Sequence, residues 1–323
     1  MSEDGGSVWT QIDSYYGDGG CCIVHPDNTN LIITGGQGPS TQTNWSFVVS
    51  YSTNGGNTWT RCNLSPATQG YAYSLAVAPS ATNKIYAGGR VGSAGKVFVS
   101  TDFGVNWNAT STAPDDTVYC LVVNPDNANI VYAATPIGIY KTTDGGITWV
   151  NKGGGANLKA IRLFPHYPDT IVIGGDNGVL ISTNSGDEWA YFNTGLENTR
   201  VNCLEFSADN QIRLFAGTNG GATYVYTFET GIENNPGEPT KVKDIRVYPT
   251  LTRNKVTVLF NQSFNSPMLF KLWDVTGQLI WQDICQSPKG NIDITLPDLP
   301  AGIYHLELVS ASGRAQTKIV IMP

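Results

Sequence analysis

The sequence predicts an all-β protein with a five-bladed β-propeller over residues 1–232 and a small β-sandwich over residues 245–323. A linker is expected at residues 233–244. Three observations predict this fold: a turn pattern that recurs five times, short apolar strands between its copies, and a change of composition after Ile232. Repeats of about 40–50 residues are typical of propeller blades. Closely spaced short strands with regular turns are typical of sandwiches.

The repeated pattern is Ser/Thr-x-Asp/Asn-x-Gly-x-x-Trp, and each of its residue types suits a tight turn. The hydroxyl and the carboxylate or amide can bond nearby backbone N–H groups, the glycine permits a positive φ, and the tryptophan can cover the hairpin as an apolar lid. The first residues of successive copies lie 50, 48, 42 and 40 positions apart, and five of the eight tryptophans fill the last position. The copies are Ser2, Asp4, Gly6 and Trp9; Ser52, Asn54, Gly56 and Trp59; Ser100, Asp102, Gly104 and Trp107; Thr142, Asp144, Gly146 and Trp149; and Ser182, Asn184, Gly186 and Trp189.

This pattern resembles the Asp-box, or BNR repeat, of sialidases, sortilin-type receptors, xyloglucan-hydrolysing propellers and photosystem assembly factors. The resemblance covers roughly residues 1–235. It implies a structural hairpin between the third and fourth strands of each blade, on the face away from the usual ligand site. It therefore implies the fold more firmly than any activity.

The last blade is expected to lack its own fourth strand, because its turn at residues 227–231 has no tryptophan. Residues 9–12 have the pattern of a fourth strand without three preceding strands. Pairing these residues with the last blade would cover both sheet edges and close a five-bladed ring. The alternative is that the chain is part of a longer ring. The chain opens on Met1 directly before a turn copy, so an exported form is expected to have lost a signal peptide.

The charge distribution argues against nucleic acid as a partner. The net charge is −7, and residues 1–236 carry 10 Lys and Arg against 19 Asp and Glu. Phosphate binding needs a basic surface, which an acidic propeller lacks. No stretch approaches the roughly 20 apolar residues of a membrane span.

The cysteines are expected to fill space. Cys21, Ser74, Cys120, Ala160 and Cys203 align at one position of the first strands, where a small side chain fits between converging blades. A disulfide and a metal site are the alternatives. No Cys-x-x-Cys pair with zinc spacing is present, and we predict neither a metal site nor a cofactor.

The C-terminal region alternates in hydrophobicity over about seven short strands, as an Ig-like sandwich does. Residues 247–249, 274–278, 299–304 and 318–321 closely resemble the type A C-terminal sorting domain of the Bacteroidetes type IX secretion system. Thr250 departs from that pattern, in which Asn-Pro often follows the Tyr-Pro. The resemblance implies that the secretion machinery recognises residues 245–323 and that the protein is secreted or placed on the outer cell surface. An unrelated Ig-like or carbohydrate-binding sandwich is the alternative.

The propeller shows no nucleophile–histidine–acid constellation, so no catalytic residue is assigned. Glycosidase chemistry needs two opposed carboxylates, and the sequence does not place two loop carboxylates opposite one another. Aromatic side chains beside amides and carboxylates suit sugars or peptides, although the tyrosines could equally be half-buried strand ends. The main hypothesis is a binding or structural module for a glycan or surface protein, and the alternative is a glycoside hydrolase of the Asp-box propeller class. The candidate ligand-binding residues are Tyr16, Asp18, Trp45, Tyr71, Tyr73, Arg90 and Asp176.

Overall fold

The computed structural model consists of strands, and its described residues include no helix. Described are residues 7, 18–39, 45–66, 68–110, 114, 116–165, 167–207, 212–221, 223–227, 245–248, 251–252, 254–260, 267–274, 278–286, 288–300, 302–310 and 313–321. The chain forms two compact units, Met1–Leu204 with Ala216–Thr223, and Glu205–Phe215 with Tyr224–Pro323. The predicted linker at 233–244 lies outside the described residues, as does the first turn copy with Ser2, Asp4, Gly6 and Trp9, so ring closure stays a prediction.

Four antiparallel sheets of four strands follow one another, and in each the strands lie in chain order. Sheet one holds β1 (Asp18–His25), β2 (Asn28–Pro39), β3 (Trp45–Ser52) and β4 (Thr60–Asn63). Sheet two holds β5 (Gly70–Ala78), β6 (Ala81–Val91), β7 (Ala94–Ser100) and β8 (Asn108–Ala109). Sheet three holds β9 (Cys120–Val123), β10 (Val131–Thr135), β11 (Gly138–Thr142) and β12 (Val150–Asn151). Sheet four holds β13 (Ala160–Phe164), β14 (Tyr167–Gly175), β15 (Gly178–Ser182) and β16 (Ala190–Tyr191).

A fifth sheet has three strands, β17 (Val201–Phe206), β18 (Arg213–Thr218) and β19 (Thr223–Thr227). Short strands therefore lie between the described turn copies, as the sequence analysis predicts.

Each of the middle sheets packs one face on the preceding sheet and the other on the next. Along β10, Val131 and Ala133 join an apolar cluster shared with sheet two, whereas Tyr132 and Ala134 join the cluster shared with sheet four. Alternate side chains of a strand point to opposite faces, which produces this division. Successive sheets stacked face to face in this way form a propeller-like arrangement.

Burial on both faces explains why the second strands are apolar throughout rather than alternating. Ile171, Val172 and Ile173 are successive residues of β14, and all three are fully buried. Each contributes about 1.5–3 kcal/mol relative to an exposed position.

Small residues face each other across the first two strands of sheets one to four, at the position predicted to hold a small side chain. The pairs are Cys21 with Gly35, Ser74 with Gly88, Cys120 with Ala134 and Ala160 with Gly174. A Cβ added to Gly35 would lie 2.9 Å from the Cys21 sulfur, so the site has no room for a larger pair. All six cysteines are free thiols, and burial raises the pKa of Cys21 to about 12. Cys21 therefore acts as a small packing group.

The C-terminal region has two sheets around one apolar cluster. One sheet has the order β20 (Ile245–Tyr248), β22 (Lys255–Phe260), β25 (Gly290–Thr295). The other has the order β21 (Leu251–Thr252), β27 (Gly313–Ile321), β26 (Gly302–Ser310), β23 (Met268–Asp274), β24 (Leu279–Cys285). Val256, Val258 and Phe260 alternate along β22 and pack with Phe270 and Leu306 from the second sheet. Within the described residues, no helix has the length and hydropathy to cross a membrane.

Candidate functional site

The sheets of the N-terminal unit have two different ends. At one end, called the turn end, lie the repeated eight-residue turns that join the third and fourth strands, together with the hairpins between the first and second strands. At the other, called the loop end, lie the connections between the second and third strands and those that lead to the next sheet. The turn end is nearly uniform, whereas the loop end differs from sheet to sheet.

At the turn end the same hydrogen bonds recur in the four described copies. The first-position hydroxyl donates to the third-position side chain at 2.7–3.0 Å. It also accepts the N–H of the glycine at 2.8–2.9 Å. The third-position oxygen accepts the N–H of the seventh residue at 2.9–3.0 Å. These bonds satisfy the polar groups of the turn from within, as expected of a structural element.

The hydrogen bonds of the turn depress the pKa values of its two carboxylates. The hydroxyl of Thr148 donates to Asp144 at 2.6 Å and, with its backbone N–H, lowers the pKa of that carboxyl to about 2. The backbone N–H of Asn106 likewise lowers the pKa of Asp102. Hydrogen bonds to the ionised form favour it, so both carboxylates are held charged as acceptors.

The turns also connect neighbouring sheets, which the sequence alone did not predict. Gly104 has a φ of 85°, and an added Cβ would lie 2.6 Å from the end of Ile33 in the preceding sheet. The indole nitrogen of Trp189 donates to the carbonyl of Lys152 in the preceding sheet at 2.9 Å. Trp107, Trp149 and Trp189 each pack on the cluster shared with the preceding sheet. The tryptophan is therefore a contact between sheets as well as a lid on its own hairpin.

At the loop end, three half-buried tyrosines form a cluster with an arginine, called the tyrosine–arginine cluster: Tyr71, Tyr73, Arg90 and Tyr119. Tyr71 and Tyr73 stack with ring centroids 4.4 Å apart, and Tyr119 meets Tyr73 edge-on at 5.4 Å. Arg90 donates from Nε to the Tyr73 hydroxyl at 3.3 Å and from Nη1 to the carbonyl of Gly92 at 3.2 Å. Three of the predicted ligand-binding residues thus come together.

The rings in this cluster are packed against other protein groups. Tyr71 lies against Gly20, because an added Cβ on Gly20 would be 3.0 Å from its ring, and Tyr73 covers it by stacking. The cluster consequently presents ring edges, hydroxyls and guanidinium N–H groups rather than an open flat platform. These tyrosines are half-buried, in line with one of the two expectations, and their role in ligand binding stays a prediction.

The electrostatic surroundings of Tyr119 reveal which charges lie nearby. Burial raises its pKa first, Tyr73 and Asp116 raise it further, and Arg90 lowers it. A cation and a carboxylate therefore flank the same phenol. Asp116 itself accepts the N–H of Thr117 at 2.6 Å.

A local irregularity of β5 places Tyr73 in the cluster. The pairing of β5 with β6 shifts register between Ala72 and Ser74, so Tyr73 is the extra residue of a bulge. Such bulges redirect a side chain near functional sites. In sheet three the corresponding residue is Tyr119, immediately before Cys120, as Tyr73 is immediately before Ser74. Tyr119 was missed in the sequence analysis, and this alignment with Tyr73 is the signal that could have found it.

The other predicted ligand-binding residues lie apart or undescribed. Trp45 begins β3 and is 40% exposed. Asp176 accepts a hydrogen bond from the Asn157 amide at 2.7 Å between β14 and β15. Asp18 begins β1, and its backbone pairs with that of Gln37 in β2. Tyr16 lies outside the described residues.

A cavity of about 270 Å³ lies between the first strands of several sheets. Ile23, Ser74 and Cys120 line it together with Arg162. Arg162 donates to the carbonyl of Ile161 at 2.8 Å and lies 3.6 Å from the Cys120 sulfur. Among the described residues, no group of three or more His, Cys, Asp or Glu could hold a metal ion.

Comparison with known families assigns the C-terminal region. Residues 246–322 match the family model described as "Secretion system C-terminal sorting domain". This region is a sorting domain. It indicates export to the cell surface or the extracellular space and implies recognition by the type IX secretion machinery, as predicted.

Three further matches are to larger proteins. A "Xyloglucanase" of Paenibacillus sp. is 26% identical over 275 residues, and the match covers 78% of this chain but 25% of the relative. The chain thus spans about a quarter of the length of this curated relative. The GH74 xyloglucanase from Xanthomonas campestris superposes with a TM-score of 0.50 at 12% identity over 94% of this chain and 46% of that structure. An ancestral GH74 enzyme gives a TM-score of 0.47 at 21% identity over 83% of this chain and 32% of its own. The Xanthomonas structure supports the propeller-like fold.

Proposed function

We propose that the chain is an exported glycoside hydrolase of the Asp-box propeller class that acts on a polysaccharide related to xyloglucan. The observation that carries this proposal is the 26% sequence identity with the Paenibacillus xyloglucanase, over a match that covers 78% of the chain. This identity favours a glycoside hydrolase, the alternative in the sequence analysis, over a binding module, the main hypothesis there. The sorting domain fits such a role, because a polymer too large to enter the cell must be met outside it.

The loop end supplies candidate carboxylates for this chemistry. Hydrolysis of a glycosidic bond uses one carboxylic acid as proton donor and a second carboxylate as base or nucleophile. Asp116 and Asp176 are half-buried carboxylates of this end, in the connection before β9 and in the turn before β15. We assign them as the pair to be tested first.

The test is the release of reducing sugar from xyloglucan by the full chain and by Asp116→Asn and Asp176→Asn. Removing a general acid or base costs about 10²–10⁴-fold in rate, so either substitution should lower turnover by at least about 100-fold at an unchanged melting temperature. Asp187→Asn is the matched control, because Asp187 pairs with Lys152 at the turn end. Absence of sugar release by the unmodified chain would refute the hydrolase proposal.

A polysaccharide-binding module is the second candidate, and the tyrosine–arginine cluster favours it. Both proposed carboxylates already accept hydrogen bonds from their own surroundings, from Thr117 and from Asn157, which suits a binding surface as well as a catalytic one. Retention of the chain on insoluble polysaccharide without sugar release would support this function.

The proposal includes the number of propeller blades and the type of the C-terminal sandwich. We assign the five sheets as the five blades of an Asp-box propeller and the C-terminal pair of sheets as an Ig-like sandwich of the Bacteroidetes sorting type. Deleting residues 245–323 should leave the propeller inside a host that has a type IX system. Its appearance on the surface of that host would refute the export role of these residues.

A further inference from the structure

The tyrosine–arginine cluster offers more hydrogen-bond donors than acceptors. The guanidinium of Arg90 has five N–H groups, and its hydrogen bonds to Tyr73 and Gly92 use two of them. The Tyr73 hydroxyl accepts from Arg90, and its own O–H can donate to a further acceptor. Tyr119 adds a second phenol beside it.

The packing of the rings determines what a ligand meets. Tyr71 lies between Gly20 and Tyr73, so its faces are largely used within the protein. A ligand that needs a wide aromatic platform is therefore poorly matched. A ligand with a hydrogen-bond acceptor suits the phenols and the guanidinium better. A carboxylate suits them best, because charge-assisted hydrogen bonds are stronger than neutral ones.

The nearby carboxylate narrows the ligand class. Asp116 is half-buried in the same connection as Tyr119, three residues before it, and its charge raises the pKa of Tyr119 whereas Arg90 lowers it. A ligand with a carboxylate on one side and hydroxyl groups on the other would satisfy both charges. A sugar acid has this arrangement, since its hydroxyls can donate to Asp116 while its carboxylate accepts from Arg90.

We propose that the tyrosine–arginine cluster is a subsite for a uronic acid residue of the polysaccharide, with Arg90 and Tyr73 binding the sugar carboxylate. This inference rests on the proposed carbohydrate function and requires that the polysaccharide, unlike neutral xyloglucan, carries uronic acid residues. The N-terminal residues 1–236 carry a net charge of −9, from 10 Lys and Arg against 19 Asp and Glu. At physiological salt the Debye length is about 8 Å, so the local donors outweigh that distant charge.

Titration calorimetry of the full chain with tetragalacturonate and with its methyl ester tests the subsite. The ester keeps the sugar ring but removes the negative charge. We expect the free acid to bind about tenfold more tightly than the ester, in line with the greater strength of charge-assisted hydrogen bonds. Equal affinities for the two ligands, or binding of neither, would overturn the inference.

Substitutions test whether Arg90 causes the preference for the free acid over the methyl ester. Arg90→Gln should abolish the preference for the acid, and Arg90→Lys should retain part of it, which separates loss of charge from loss of folding. Lys152→Gln removes one positive charge at the turn end and should keep the full preference. A preference unchanged in Arg90→Gln would refute the assignment.

Two further ligands distinguish a uronate subsite from the proposed hydrolase function and from recognition of peptide carboxylates. Xyloglucan is neutral, so its hydrolysis with equal binding of acid and ester would sustain the proposed function and refute the uronate subsite. Acetyl-trialanine offers a carboxylate without a sugar. If it binds as tightly as tetragalacturonate, the cluster recognises peptide carboxylates and the uronate assignment fails.

Discussion

The turn end and the loop end of the sheets share the same strands but differ in how they use polar residues. At the turn end, Ser100, Asp102 and Gly104 bond one another, and the same bonds return in the next sheets. At the loop end, Arg90 donates to the Tyr73 hydroxyl and Tyr119 packs edge-on against the Tyr73 ring, so this cluster joins side chains of two successive repeats. The repeated turns thus bond many of their polar groups to one another, whereas the tyrosine–arginine cluster belongs to one part of the loop end.

The two ends offer a matched pair of tryptophans that tests this division. Trp107 packs on the cluster between sheets one and two and donates to the Gly104 carbonyl. Trp107→Ala should lower the free energy of unfolding by about 3 kcal/mol, the lower end of the range for large aromatic residues, with ligand binding unchanged in the protein that remains folded. Chemical denaturation and calorimetry measure both quantities. A stable variant that had lost only its ligand would contradict the structural role of the turn.

Two glycines, one in a turn and one in the connection after β12, separate backbone conformation from packing. Gly104 and Gly153 both have positive φ, 85° and 72°, but an added Cβ meets Ile33 at 2.6 Å in the first case and nothing within 4 Å in the second. Gly153→Ala should cost about 1 kcal/mol for its conformation alone, and Gly104→Ala about 1–3 kcal/mol more for the overpacking. Equal costs in denaturation experiments would show that the turn does not hold the sheets together.

Much of this division was predictable from the sequence, because repetition places equivalent residues in equivalent structure. The turns and the small-residue position of Cys120 followed from alignment of the repeats. The contact of Gly104 with Ile33 did not, because it joins residues 71 positions apart (104 minus 33) whose pairing depends on how sheets stack. Tyr119 was missed because its partners Tyr73 and Arg90 lie in another repeat. Contacts between repeats are set by tertiary packing, and one repeat alone does not encode them.

Replacing Trp45, at the loop end, should affect ligand binding more than stability, in contrast to Trp107. Trp45 is 40% exposed at the start of β3, and substitutions at such surface positions usually change stability by about 0.5 kcal/mol or less. Trp45→Ala should therefore leave the melting temperature nearly unchanged while weakening retention on polysaccharide several-fold. A large loss of stability with unaltered retention would place Trp45 in the scaffold.

The smallest expected effect is the acid sensitivity of a single turn. Hydrogen bonds from Thr148 hold the pKa of Asp144 at about 2, below its ordinary value of 3.8. Because the folded-state pKa is depressed, the contribution of this carboxylate to stability is present above pH 3.8 and is lost as the pH falls towards 2. The copies at Asn54 and Asn184 carry an amide at this position and have no such titration. Asp144→Asn should therefore melt below the unmodified chain at pH 5, and the difference should shrink as the pH approaches 2. A difference that stays constant over this range would mean that the turn is held by its geometry alone and not by the charge of Asp144.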